Sequence, residues 1–210
     1  MSLDNREVKK SKKKKELIVF NFNKTITRRN SMFEFIRFTH GSFSLYFYLV
    51  LFSPVFLLSK IGLVSRKKRN ELLMRYLYKG ESVFMLTTWG EQFCMARYNS
   101  FLRPDALDII RQLKKKQKHI IVISESAKIW VEPFTKKLGL ELIATDWEYK
   151  EGKFTGRFLT HNCCGKEKAT RLKAYLNINE FQKLIVYGNS SRDKFLYKLA
   201  DIHYHKYFNA

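Results

Sequence analysis

The sequence predicts an α/β protein organised on a doubly wound parallel sheet. Two short apolar runs, Leu17 to Phe20 and Lys183 to Tyr187, and a third from His119 to Ser126, have the length and β-branching of strands buried on both faces. Each runs into polar residues at its carboxyl end, where ligands sit in sheets of this kind. The composition agrees with a folded core. Over 210 residues, 45% are hydrophobic and 15% aromatic, too rich for disorder and enough for one sizeable core plus an accessory element.

The charge is lopsided. Forty Lys and Arg stand against nineteen Asp and Glu, a formal +21, so the surface carries a positive field that attracts phosphate in any form. Nucleic acid, anionic lipid and small phosphorylated molecules all satisfy such a field. The three cysteines, Cys94, Cys163 and Cys164, form no even framework and point to a reducing, cytoplasmic location. Residues 1–16 hold a lysine run with nothing apolar enough to pack, and read as a basic disordered tail. The apolar run that follows is too short for the h-region of a signal peptide.

The first strand ends in Asn21-Phe-Asn-Lys-Thr-Ile-Thr27, so Asn21, Asn23 and Thr25 are expected to project into a site. Arg28 to His40 has the spacing of a short helix with Asn30 or Ser31 as N-cap. From Gly41 to Ser59 no residue is charged, and the run is long enough to span a bilayer. A single crossing would leave the strands before and after it on opposite sides of the membrane, which excludes it if they share one sheet. The expectation is a helical hairpin or a helix broken at Pro54. Lys60 and Arg66-Lys-Lys-Arg69 follow at once, so segment 41–64 is composed like an interfacial anchor on anionic lipid. A helical face that covers the site accounts for the same composition.

Glu71 to Asn99 continues the helical pattern, with Leu72, Leu73, Tyr76, Leu77, Phe84, Leu86, Trp89, Phe93 and Met95 as packing residues. Arg103-Pro104 marks a return to the core, and Ala106 to Lys116 reads as a helix with its lysines at the C-terminal end. The second strand ends at Ser124, and the helix from Lys128 is closed by Gly139. Leu142 to Thr145 reads as a strand, and Glu151-Gly152 as the turn of a hairpin. Asn162-Cys-Cys-Gly-Lys-Glu-Lys168 is a polar turn that opens a helix. His161, Cys163 and Cys164 match no zinc spacing. The strand from Lys183 to Tyr187 runs into Gly188-Asn-Ser-Ser-Arg-Asp193. His203 and His205 alternate as surface residues of a terminal strand.

Four of these segments, in this order, resemble the motifs of the haloacid dehalogenase (HAD) superfamily. The first is Asp-x-Asp-x-Thr, with Asn21 and Asn23 standing here for both aspartates. The second is a strand-end Ser or Thr that binds a phosphate oxygen in the family, matched here by Ser124. The third is the lysine of Gly-x-Glu-Lys, matched by Lys168 in preference to Lys166. The fourth is Gly-Asp-Ser-x-x-Asp, kept at Gly188, Ser190 and Asp193 but with Asn189 at its first acid. The resemblance is to the phosphoserine-phosphatase-like branch, and the apolar insert also resembles its membrane-associated phosphatidylglycerophosphatase members. It implies a three-layer Rossmann-like core over 17–30 and 100–210, with a helical cap over 31–99.

The resemblance also implies a Mg²⁺-dependent phosphomonoesterase. Residue 21 would be the nucleophile and residue 23 the acid and base, with Ser124, Lys168 and Thr25 on the phosphate and Asn21, Asn23, Asn189 and Asp193 on the metal. With three carboxylates replaced by amides, Mg²⁺ binding is expected to be weakened or absent and turnover severely impaired. The alternative is a module that binds phosphate or anionic lipid without turnover. The expected partners are a phosphorylated small molecule or lipid phosphate and an anionic membrane surface, met from its cytoplasmic side. The resemblance argues against nucleic acid.

Overall fold

The computed structural model describes residues 16–208. The tail expected over 1–16 thus lies outside the described residues except for Glu16, which opens the first strand. Strands β1 (Glu16–Asn21), β2 (His119–Ala127), β3 (Glu141–Thr145), β6 (Lys183–Gly188) and β7 (Ile202–His205) form one parallel sheet in the order β3-β2-β1-β6-β7. Side chains alternate across a strand, and β1 shows the consequence. Ile18 and Phe20 enter one core while Leu17 and Val19 enter another on the opposite face. The helices α1 (Ser31–Leu51), α4 (Val83–Phe101), α5 (Pro104–Lys115) and α6 (Lys128–Leu138) contribute to the first core. The helices α7 (Lys166–Tyr175) and α8 (Lys194–Tyr197) contribute to the second.

The central strand β1 has β2 on one side and β6 on the other, so the chain order reverses about it. The carboxyl end of β1 is therefore the crevice of the sheet. Beyond Asn21 the chain makes one helical turn, Phe22–Ile26, in which Lys24 takes a left-handed conformation.

The insertion between β1 and α5 holds α1, α2 (Ser53–Lys60), α3 (Arg66–Tyr78) and α4. Asn30 caps α1 by accepting the Met32 N–H at 3.0 Å. The apolar run is a broken helix, as one of the two expected forms, but the break is not at Pro54. It lies at Phe52, where α1 and α2 meet at 55°, and Pro54 sits in the first turn of α2, where its missing N–H costs nothing. A second kink falls at Gly41, whose φ of 84° leaves the helical range. Among the described residues no single helix is long and apolar enough to cross a membrane, although the bent pair is so by length and composition.

The helical stretch expected from Glu71 to Asn99 is two helices. The link at Gly80 to Val83 is held by backbone hydrogen bonds to the hairpin of β4 (Trp147–Lys150) and β5 (Lys153–Phe158), such as Gly80 N–H to Phe154 O at 2.9 Å. That hairpin turns at Glu151 and Gly152, both with positive φ, as a two-residue turn requires. Leu73, Leu86 and Phe93 are buried as expected, whereas Tyr76, Phe84 and Met95 are exposed. Both helices are apolar on more than one side, and tertiary contact selects which side is covered. Where α4 crosses α6, a Cβ on Gly90 would lie 2.2 Å from the Ile129 carbonyl oxygen, so only glycine permits this approach. Behind the crossing, Phe35 stacks on Trp130 at 4.7 Å, worth ~0.5–1.5 kcal/mol beyond its area.

Candidate active site

The carboxyl ends of β1, β2 and β6 and the start of α7 converge on one cluster. Lys168, in the first turn of α7, is 3% exposed, while Lys166 points to solvent. The Lys168 ammonium donates to Asn21 Oδ1 at 2.9 Å and to Asp193 Oδ1 at 2.6 Å. Burial alone would lower the Lys168 pKa, but Asp193 and Glu125 outweigh it and hold the group above its ordinary value. Burial likewise works against the Asp193 carboxylate, and Lys168 with the backbone N–H groups of Asn189 and Ser190 brings it below the usual carboxylate range. The second oxygen of Asp193 accepts the Asn189 N–H, the Ser190 N–H and the Ser190 hydroxyl at 3.1–3.2 Å.

Asn21 and Asn23 are buried and line a cavity of about 1080 Å³. Asn21 Nδ2 donates to the Asn23 carbonyl at 3.0 Å. Both ends of the Asn23 side chain are engaged, since Oδ1 accepts the Ser31 N–H at 2.9 Å and Nδ2 donates to Ser126 Oγ at 2.8 Å. Asn189 also lines the cavity. Ser124 and Thr25 are fully buried and do not line it. The Ser124 hydroxyl accepts the Ser126 N–H at 3.1 Å, and the Thr25 hydroxyl has no hydrogen-bond partner.

Four contributors escape the sequence motifs. Ser126, two residues beyond Ser124, lines the cavity, and Ser31 and Trp130 support it through hydrogen bonds at 2.9 and 3.2 Å. Glu125 lines the cavity as well and is gripped by both hydrogen bonds of Arg192 Nη1, at 2.8 and 2.9 Å. Burial would raise the Glu125 carboxyl, yet Arg192 and Lys168 draw it below the ordinary range. A second hydroxyl at the same strand end is the signal that the sequence offers for Ser126.

Glu34 and Glu125 are the acidic residues that line the cavity, and each is already paired, Glu34 with Arg37 at 2.9 Å. Lys24, Arg28, Arg66, Arg69 and Lys206 line it too and leave it strongly positive. Arg69 meets no carboxylate at ion-pair distance among the described residues. It donates to Asn70 Oδ1 and lies 5.0 Å over the Phe56 ring, and burial together with Arg66 pushes its pKa down. The far wall is apolar, with Tyr46, Leu49 and Phe56 from α1 and α2.

Mg²⁺ takes a near-octahedral set of hard oxygens at ~2.0–2.1 Å. The residues present do not fit it. Among the described residues no three His, Cys, Asp or Glu side chains converge. Both oxygens of Asp193 are committed to protein donors, and Asn21 turns an N–H₂ group toward the Asn23 carbonyl.

Comparison with known proteins bears on this arrangement. The chain is 27% identical over 187 residues to the protein CicA of Caulobacter vibrioides, an alignment that covers 88% of this chain and 83% of that protein. A Bordetella pertussis Tohama I protein of unknown function superposes with a TM-score of 0.79 at 20% identity, covering 90% of this chain and 89% of that one. A phosphoserine phosphatase solved as a phospho-aspartyl intermediate analogue superposes with a TM-score of 0.65, also at 20% identity, over 91% and 86%. The sequence profile of haloacid dehalogenase-like hydrolases matches residues 18–196, nearly the whole described chain. With that match and the five-stranded parallel sheet, the chain belongs to the haloacid dehalogenase-like hydrolase family.

Proposed function

We propose that this chain is a phosphatase by descent that now binds a phosphomonoester at the carboxyl end of β1 without appreciable turnover. The observation that carries the reading is Asn21 at the family's nucleophile position, with its oxygen on Lys168 and its nitrogen on Asn23. An amide oxygen is a poor nucleophile. Asn23, at the acid and base position, has no proton to exchange near neutral pH and is held by Ser31 and Ser126. Lys168 and the cations of the cavity remain to hold the phosphate, and α1–α4 act as the cap above it.

The ligand we favour is a lipid phosphate. Support comes from the wall formed by Tyr46, Leu49 and Phe56, which continues into exposed apolar residues on the same two helices. Phe43, Phe47, Val50 and Leu51 follow one helical stripe of α1, and α2 buries none of its residues although it is largely apolar. Lys60 and Arg66 line the same cavity, and Lys67 and Lys68 follow in the chain. An apolar strip rimmed by cations suits peripheral attachment to the inner, anionic face of a membrane.

The test is hydrolysis of p-nitrophenyl phosphate and of micellar phosphatidic acid with MgCl₂. The chain as written is expected to give no rate above blank, and the combined Asn21→Asp, Asn23→Asp and Asn189→Asp variant to gain roughly 10⁴-fold or more, by analogy with nucleophile knockouts. Appreciable release of phosphate by the unsubstituted chain would refute the reading. A folded triple variant that stays silent on both substrates would favour a binding module over a disabled phosphatase.

A further inference from the structure

The amides at the strand ends do more than remove a nucleophile, because they decide which way each hydrogen bond runs. At position 21 the side chain meets Lys168 Nζ at 2.9 Å and the Asn23 carbonyl oxygen at 3.0 Å. Lysine only donates and a carbonyl only accepts, so the asparagine has one orientation. An aspartate there would set one of its oxygens against the carbonyl oxygen, a contact that requires a cation in between. Asn21 fills that contact with its own N–H.

Position 23 is ordered by the same reasoning. The Ser31 N–H can only meet the Asn23 oxygen, so Nδ2 faces Ser126 Oγ. Trp130 Nε1, also only a donor, meets Ser31 Oγ at 3.2 Å, and Ser31 Oγ in turn donates to Ser126 Oγ at 2.9 Å. The Ser126 oxygen thus receives two donors, and its own proton has no acceptor among the described residues. An aspartate at 23 would take that proton. With asparagine, Ser126 keeps it for whatever enters the cavity.

The charge follows the hydrogen bonds. In the cluster of Asn21, Asn23, Asn189, Lys168 and Asp193, the ammonium cancels the one carboxylate. Aspartates at the three amide positions would add three negative charges, and a phosphate would then need a cation before it could approach.

We propose that the three amides make this cavity an anion receptor that takes a phosphate with no divalent cation, and that the Ser126 hydroxyl is one of its contacts. This rests on the reading above that the cavity binds phosphate. The test is isothermal titration calorimetry of the full chain with inorganic phosphate, in EDTA and in MgCl₂, beside thermal melts with MgCl₂ alone. The expected result is a Kd that agrees within about twofold between the two buffers, and no Tm shift from MgCl₂, since a neutral cluster offers the cation nothing.

Ser126→Ala is expected to weaken phosphate about tenfold in both buffers, the usual effect of one lost hydrogen bond to a charged group. The combined Asn21→Asp, Asn23→Asp and Asn189→Asp variant is expected to lose phosphate in EDTA and regain it with MgCl₂. If that variant does not fold, Asn21→Asp alone is expected to bind more weakly than the parent in EDTA. Phosphate binding by the unsubstituted chain that requires MgCl₂, or a Tm raised by MgCl₂ alone, overturns the proposal but leaves the phosphate-receptor reading intact. Unchanged affinity in Ser126→Ala overturns the role given to that hydroxyl. Absence of phosphate binding in both buffers overturns both.

Discussion

Breaking the pair between Lys168 and Asp193 gives the most direct test of how this site is held together. The two side chains are 3% and 0% exposed, so solvent screens their contact little. Asp193→Asn leaves the Lys168 ammonium buried with Asn21 Oδ1 as its remaining close acceptor. The new amide cannot serve every former partner, because one Asp193 oxygen faced Lys168 and the other faced three donors at 3.1–3.2 Å. Removing one member of a buried pair costs ~3–5 kcal/mol. For a chain of this size that corresponds to a Tm lower by roughly 6–20 °C. Lys168→Met should fall at the low end, since the carboxylate it leaves behind keeps its three donors.

The double variant should cost less than the sum of the two, by ~0.5–3 kcal/mol of coupling. The pH dependence has a definite sign. Asp193 titrates lower in the folded chain, so its contribution is present above the unfolded value near ~3.9 and is lost as pH falls through the folded one. Lys168 titrates higher when folded, so its contribution is complete below the unfolded value near ~10.4 and is lost as pH rises through the folded one. Urea melts from acid to alkaline pH should therefore show both limbs in the parent, and a shifted acid limb in Lys168→Met. A loss under ~1 kcal/mol in Asp193→Asn, with the pH profile unchanged, would refute the reasoning.

Three further outcomes are expected. Gly90→Ala should destabilise by ~1–3 kcal/mol in urea melts, because its methyl group would meet the Ile129 carbonyl at 2.2 Å and α4 would have to move off α6. Vesicles that contain anionic lipid should bind the chain at low salt. Phe47→Glu with Leu51→Glu should weaken that binding without loss of the fold, since both side chains are about half exposed. A folded parent that ignores such vesicles would remove the membrane attachment. Burial pushes the Cys163 thiol up to about 12 and the Cys164 thiol up to about 11, so both should resist iodoacetamide at pH 8 and react at once in urea. Rapid alkylation of either in the native chain would contradict the burial.

Much of the frame was legible residue by residue. Strands buried on both faces read as apolar runs, and so β1, β2 and β6 stood out, as did the left-handed Gly139 that ends α6 and the Glu151-Gly152 turn. Helix breaks were harder. Pro54 is compatible with the first turn of a helix, so its presence did not locate the bend, and the link between α3 and α4 exists because a hairpin some 70 residues later pairs with it. The buried side of an all-round apolar helix is likewise a property of its neighbours.

The site divides in the same way. The residue types at the strand ends belong to the sequence alone: amides at 21, 23 and 189, one carboxylate at 193, a lysine at 168 and an excess of positive charge. Those types set the chemistry available to the proposed receptor, because reactivity is a property of the group. Tertiary structure decided that Lys168 rather than Lys166 is buried against Asp193, and that Ser126 rather than Ser124 lines the cavity. It also decided that Asn23 donates a hydrogen bond to a serine 103 residues away while Asn21 accepts one from a lysine 147 residues away. The direction of a hydrogen bond belongs to a pair, and only the fold selects the pairs.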